Sequence, residues 1–403
     1  MVMPNNITND MTHRQRILAA IRGEQTDRLP WAPRLDFWYR ARARAGTLPA
    51  DLRGLGLHEI AGRLGAAVYA TIPDFTTCPN AERNRTLGML SWADCPYEIV
   101  FDGVDRRIEK HGREIVTEYR SPAGCLRTAE VWTQEMLAAG ASVSWITGHA
   151  IQRPEDFAIA GDIFSRMRVV PRPERYARFR QAVAEQGLAV GHTHGASCPL
   201  HLIMKELMTT EEFFYALADH PAAVERLCEQ IEPVFAAIRR IVADLPAQVV
   251  YLGANYDDGI THPAFYRKHL MPHLASYAAE LHASGKYLMT HADGENRRLL
   301  PAYLETGFDI ADSVCPAPMT RCTIEQLCDA FEGRITIWGG IPSVLLCRDS
   351  ASEPDFRAFV DKLIRDRTGR SRFVLGVSDM VTADAEWDRV LYIGEAIDRA
   401  ALH

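Results

Sequence analysis

A chain of 403 residues that is 47% apolar and 24% charged has the makeup of a folded globular protein, long enough for two or three average domains or one large α/β domain. A formal net charge of −7 with no Lys/Arg block gives no footing for nucleic acid or for an anionic membrane, and no stretch reaches the roughly 18 apolar residues of a spanning helix. Nine scattered cysteines without a CxxC pair argue against a disulfide framework and against a structural zinc knuckle.

Residues 1–10 are expected to be disordered, and the opening stretch lacks the basic start and apolar core of a secretory signal, so a cytoplasmic enzyme is expected. "THRQRILAAIRG" predicts an amphipathic helix capped by Thr12 and stopped by Gly23. "WAPRLDFWYRARARAG" then gathers arginines and aromatic rings. Guanidinium forks bind carboxylates and aromatic faces stack on planar ligands, so Arg34, Trp38, Tyr39 and Arg40 are candidates for a substrate clamp. An amphipathic helix with a solvated basic face explains the same pattern.

From 98 to 135, short β-like runs alternate with Asp-Gly, His-Gly and Ala-Gly turn signals, which predicts an antiparallel hairpin insertion. Apolar strand candidates lie at 67–72, 188–192, 249–254, 287–291, 309–314, 335–340 and 373–378, and helical periodicity fills 222–244, 263–284, 296–306, 354–366 and 384–400. Short, nearly all-apolar strands separated by helices are parallel strands buried on both faces. The expected fold is α/β: a single (β/α)8 TIM-type barrel over residues 11–403, with an N-terminal helical segment and the hairpin insertion; a doubly wound sheet is the alternative.

Each strand candidate runs into a polar tail: "PDFTT", "HTHG", "NYDDG", "HADGEN", "DSVCP", "GGIPS" and "SDM". Parallel barrel strands deliver such tails to one rim, where barrel enzymes place their chemistry. The convergent candidates are Asp74, His192, His194, Asn255, Tyr256, Asp257, Asp258, His291, Asp293, Cys315, Ser378 and Asp379. Any one of them serves equally as a helix cap or turn former. His291 and Asp293 are two apart, so both can point the same way from a strand end. An imidazole nitrogen with carboxylate oxygens suits zinc, with a third ligand from Asp379, Cys315 or Asp258.

"RQRILAAIRGEQTDRLP", "PEDF" at 154–157, "ALADHPAAVERL" at 216–227, the block 265–312 and "IWGGIP" at 337–342 together resemble the uroporphyrinogen decarboxylase superfamily. The resemblance implies a (β/α)8 barrel and one of two chemistries. The methyltransferase branch holds zinc through His-x-Cys at a strand end and a late Cys; His291 matches the His, Asp293 stands at the first Cys, and Ser378 or Asp379 at the second. That harder donor set implies activation of an ether or water oxygen, hence a corrinoid-linked methyltransferase or O-demethylase. The zinc would be bound by His291, Asp293, Asp379 or Cys315, and the corrinoid borne by a separate carrier protein. The decarboxylase branch needs no cofactor; Arg34 and Arg40 would anchor the carboxylates of a ring such as a tetrapyrrole, and Asp74 would stabilise the protonated ring. His192, His194 and Tyr256 are expected at the substrate, with Asn255 and Asp258 near the chemistry. A non-catalytic small-molecule-binding barrel is the third reading, and a homodimer is compatible with all three.

Overall fold

A computed structural model of the chain describes residues 11–73 and 85–401. Helix α1 (His13–Arg22) forms where the sequence predicts it: the Thr12 hydroxyl accepts from the Gln15 amide, the Gln15 side chain accepts from the Thr12 amide, and Gly23 ends the helix at φ +79°. Helix α2 (Asp36–Ala45) carries the arginine-rich stretch.

Seven parallel strands follow in one sheet: β1 (Val68–Ile72), β2 (Gly187–His192), β3 (Val249–Leu252), β4 (Tyr287–His291), β5 (Ile310–Val314), β6 (Thr336–Ile341) and β7 (Phe373–Val377), paired in that order. All seven predicted strands are present, each within a residue or two of its expected bounds. Strands β2, β3, β5, β6 and β7 are buried at every position, which is why their sequences are apolar runs rather than alternations. Helices such as Pro221–Asp244 and Glu353–Arg367 lie between them.

An eighth full strand is absent among the described residues. In its place the segment 30–32 links the two edges. Leu375 donates to Pro30 O (2.8 Å), Ala32 donates to Leu375 O (2.9 Å), and Ala67 donates to Trp31 O (2.7 Å). One bridge, Trp31 to Leu375, records the pairing. Inside the curl, Leu188, Val190, Val249, Met289, Ile310 and Val374 form a cluster with Ile17, Leu18 and Ile21 of α1. Arg14 of α1 bonds Gln248 just ahead of β3, and Arg372 just ahead of β7 bonds Ile21 O, so α1 covers the N-terminal ends of the strands. The C-terminal ends are left for the site.

The β5–β6 register slips between Asp312 and Val314, leaving Ser313 as a bulge residue at φ +62°. Opposite it, a Cβ on Gly339 would lie 2.7 Å from Val314 O, so only glycine admits the bulge.

The insertion is longer than predicted. Asp105–His111, Glu114–Ser121, Gly124–Val131 and Trp145–Gly148 form a four-stranded antiparallel sheet, whereas Tyr97–Phe101 pairs with Met167–Pro171. The sheet is tied to the C-terminal side of β2 by the Arg85–Glu206 ion pair and by Arg85 Nη2 donating to Ser144 O at 3.1 Å.

Candidate functional site

Neighbouring strands β3, β4 and β5 bring Tyr251, His291 and Asp312 to their C-terminal ends, and the ladder sets His291 directly opposite Asp312. Asp312 is 1% exposed, yet its Oδ2 accepts from the Tyr69 hydroxyl (2.9 Å), the Tyr251 hydroxyl (3.1 Å) and the Ser313 hydroxyl (3.0 Å). A buried carboxylate survives only with such partners. Nδ1 of His291 lies 2.8 Å from the Tyr251 oxygen and 3.4 Å from Asp312 Oδ2. The imidazole is therefore fixed from below by a tyrosine–carboxylate pair.

The other ring nitrogen faces acids on two further segments. Nε2 of His291 is 3.5 Å from Asp293 Oδ2 and 3.7 Å from Asp379 Oδ1. Arg34 Nη1 is 3.2 Å from that same Asp379 oxygen, while its Nε donates to Asp36 at 2.9 Å. Asp36, fully buried, also takes Arg40 Nη2 at 2.7 Å, and Arg40 donates on to Gly140 O at 2.7 Å. Segment 30–32 thus bonds both edge strands' backbones and, two residues later, the chain delivers Arg34 to the rim.

These charges set the protonation. Burial works against a charged His291, but Asp293, Asp312 and Asp379 outweigh it and raise its pKa to about 10. Burial also resists ionisation of Asp293; His291 and Lys205 overcome it and hold that carboxyl below the usual range. Asp379 moves the other way, raised by burial against the pull of Arg34 and His291. Two carboxyls with opposed shifts on one imidazolium form a site in which a proton can be held or passed. Tyr69 and Tyr251 are pushed far up by burial and then by Asp312, so both remain neutral donors. Burial, then His291 and Lys205, lowers His192 to about 3, leaving a neutral ring packed 4.8 Å from that of Tyr251.

Zinc makes definite demands on such a site. Ligand atoms of a tetrahedral ion with bonds near 2.1 Å stand roughly 3.4 Å apart, so the spacing about Nε2 is close. The environment is not. Arg34 holds the Asp379 oxygen that would have to face the ion, and burial raises the Cys315 thiol to about 11. Among the described residues no group of three His, Cys, Asp or Glu side chains is placed to hold a metal ion. With Arg34 on Asp379, the residues as arranged do not fit zinc.

The structure thus joins Arg34, His291, Asp293 and Asp379, with Arg40 one contact behind. It sends other candidates elsewhere. Asp74 lies outside the described residues. Trp38 stacks on Trp387 at 4.6 Å and donates to Ala385 O, and the Tyr39 hydroxyl donates to Leu55 O, so both anchor α2 instead of clamping a ligand. Phe37 meets the arginines, 5.2 Å from Arg34 and 5.3 Å from Arg40. Tyr256 is buried among His201, Tyr266 and Tyr303. The His194 ring packs on Phe235 at 4.0 Å, on the helix side of the sheet. Asp258 accepts from the Arg298 amide (2.9 Å) and guanidinium (3.0 Å), a loop tie and not a catalytic acid, and Asn255 is exposed. Asp312, Tyr69 and Tyr251 are central residues that sequence reasoning passed over. The signal was an acid inside the apolar run "DIADSV" and a tyrosine inside "AVYATI" and "VVYLGA".

A search of the curated proteins matched none. In fold, the chain is similar to a methyltransferase from Methanosarcina mazei, with a TM-score of 0.54 and 14% identity over 97% of this chain and 99% of that one. The uroporphyrinogen decarboxylase (URO-D) family model matches residues 176–400, more than half of the chain and six of its seven parallel strands, and this chain belongs to that family.

Proposed function

We propose that this chain is a methyltransferase that demethylates a small methylated oxygen compound at the C-terminal rim, passing the methyl group to the corrinoid of a separate carrier protein. The seven strands and segment 30–32 are taken as the staves of a (β/α)8 barrel, in a cytoplasmic enzyme. One observation carries the reading: a buried, charged His291 braced at Nδ1 and open at Nε2 to the rim acids.

Ether methyl groups leave slowly because the oxygen must accept the bonding pair. A proton given by Nε2 as the C–O bond breaks turns that oxygen into a neutral alcohol or phenol. The pKa of His291, about 10, lies near that of a phenol, so transfer to an aryl oxygen is close to balanced. Asp293 and Asp379 steady the imidazolium, and Arg34 fixes Asp379. The carrier's reduced cobalt supplies the electron pair that takes the methyl group, the substrate oxygen keeps the pair from the C–O bond, and solvent returns the proton to His291. The fold likeness to a methyltransferase is in keeping with this class. A decarboxylase would need Arg34 and Arg40 for substrate carboxylates, and both are engaged by Asp36.

The test mixes purified protein with chemically reduced free cobalamin and 4-methoxybenzoate, following methylcobalamin and 4-hydroxybenzoate. H291Q should lose roughly 10²- to 10⁴-fold in rate, the usual weight of a general acid. Loss of carbon dioxide from uroporphyrinogen with no methyl transfer would replace the reading with decarboxylation. Zinc at one per chain in the wild type, lost in H291Q, would reassign the activating role to a metal.

A further inference from the structure

The segment after β2 contains a π-helical turn, Ile203–Leu207, and such turns insert a residue that re-aims its neighbours, frequently at functional sites. Lys205 lies on it. Its side chain is 32% exposed, and Nζ donates to the carbonyl of Gly195 at 3.2 Å, in the "HTHG" tail that ends β2 at the rim. That tail begins at His192, which the ladder sets opposite Tyr251 of the His291 cluster, and the Lys205 charge also acts on Asp293.

What distinguishes Lys205 from the other rim cations is its pairing. Arg34 and Arg40 are bonded to Asp36, and Arg34 also to Asp379. Arg85 is bonded to Glu206. Lys205 hydrogen-bonds a neutral carbonyl, and its one close carboxylate, Glu206, is 4.0 Å away and already held by Arg85. An ammonium has three donors. Among the described residues, Lys205 therefore keeps donor capacity that no carboxylate closer than Glu206 fills.

We infer that Lys205 anchors a carboxylate on the substrate, so that the compound demethylated is an acid. A carboxylate fits better than a phosphate: Asp293, Asp312 and Asp379 already load the mouth with negative charge, and a dianion would meet twice the repulsion. The inference rests on the methyl-transfer reading only for what the substrate loses, not for how it is held. Lys205 touches no reacting atom in this scheme; it is a specificity residue.

Calorimetric titration of the full chain with benzoate, 4-methoxybenzoate and methoxybenzene separates the two ideas. Both acids should bind about 10- to 100-fold more tightly than methoxybenzene, the weight of one charge-assisted hydrogen bond. K205M should erase that preference, and K205R should keep most of it, with unchanged circular dichroism in both. Lys205-dependent binding of benzoate sustains the inference even if no methyl group is ever transferred. Equal binding of benzoate by wild type and K205M, or binding of methoxybenzene as tight as that of the acids, overturns it, as does failure of all three to bind.

Discussion

The charge on His291 has a consequence for stability. Its folded pKa is raised from 6.5 to about 10, so the folded state binds a proton that the unfolded chain releases earlier. The contribution is fully present below the unfolded value and is lost as pH rises through the folded value. At 1.36 kcal/mol per pKa unit, the difference integrates to a loss of about 3 to 4 kcal/mol between pH 6.5 and 9.5. Tyrosines, lysines and cysteines titrate in part of that window too. The reading is therefore a difference: urea unfolding at pH 6.5, 8 and 9.5 for wild type and for H291Q, which keeps a neutral donor in the same volume. H291Q should be the weaker at pH 6.5, because Asp293 and Asp312 lose their cation, and the gap should shrink as pH rises. Parallel stability curves would mean that His291 is neutral in the folded chain, and the acid role assigned to it would fall with that result.

Further outcomes follow from the contacts around this ring. D312N puts an amide donor beneath three hydroxyl donors and removes the carboxylate nearest Nδ1, so it should cost about 3 kcal/mol in urea unfolding and lower the His291 pKa, seen by ¹⁵N imidazole shifts. R34M leaves buried Asp36 with Arg40 alone and Asp379 without its guanidinium; a loss of roughly 3 kcal/mol is expected, and removal of the Arg34 charge should raise the Asp379 pKa further. G140A forces a Cβ to 2.3 Å from Phe37 O at φ +74°, so the loop that receives Arg40 should exchange its amide hydrogens faster, with about 2 kcal/mol lost.

The strands were legible because burial on both faces leaves only apolar residues, and the helices between them carry their own period. What hid the closing segment was proline. "RLPWAP" contributes one bridge, two carbonyl acceptors and one amide donor rather than a ladder, so nothing in it reads as a strand. The site was half legible for a related reason. His291 ends a strand and Asp293 and Asp379 follow one, where polarity stands out. Asp312, Tyr69 and Tyr251 lie inside strands, where one polar residue looks like noise until neighbouring strands bring their partners. Trp38, Tyr39 and Tyr256 were overread because aromatic density serves helix packing as readily as ligand stacking. Asp258 was overread because an acid after a strand is as useful for tying a loop as for catalysis.

The division of the site along the chain bears on specificity. The family match begins at residue 176 and so takes in Tyr251, His291, Asp293, Asp312 and Asp379, the parts that set and hold the proton. Arg34, Asp36, Arg40, Tyr69 and the loop at Gly140–Ser142 all precede it. At the site itself the two halves meet through Tyr69 on Asp312, Arg34 on Asp379, and Arg85 on Glu206 beside Lys205. A change in the first half can therefore reposition Asp379 or Lys205 while the Tyr251–His291–Asp312 unit stays as it is. On the proposed reading, the early segments therefore bear on the acid that faces His291 and on the neighbour of Lys205, and the later half carries both the proton and the ammonium.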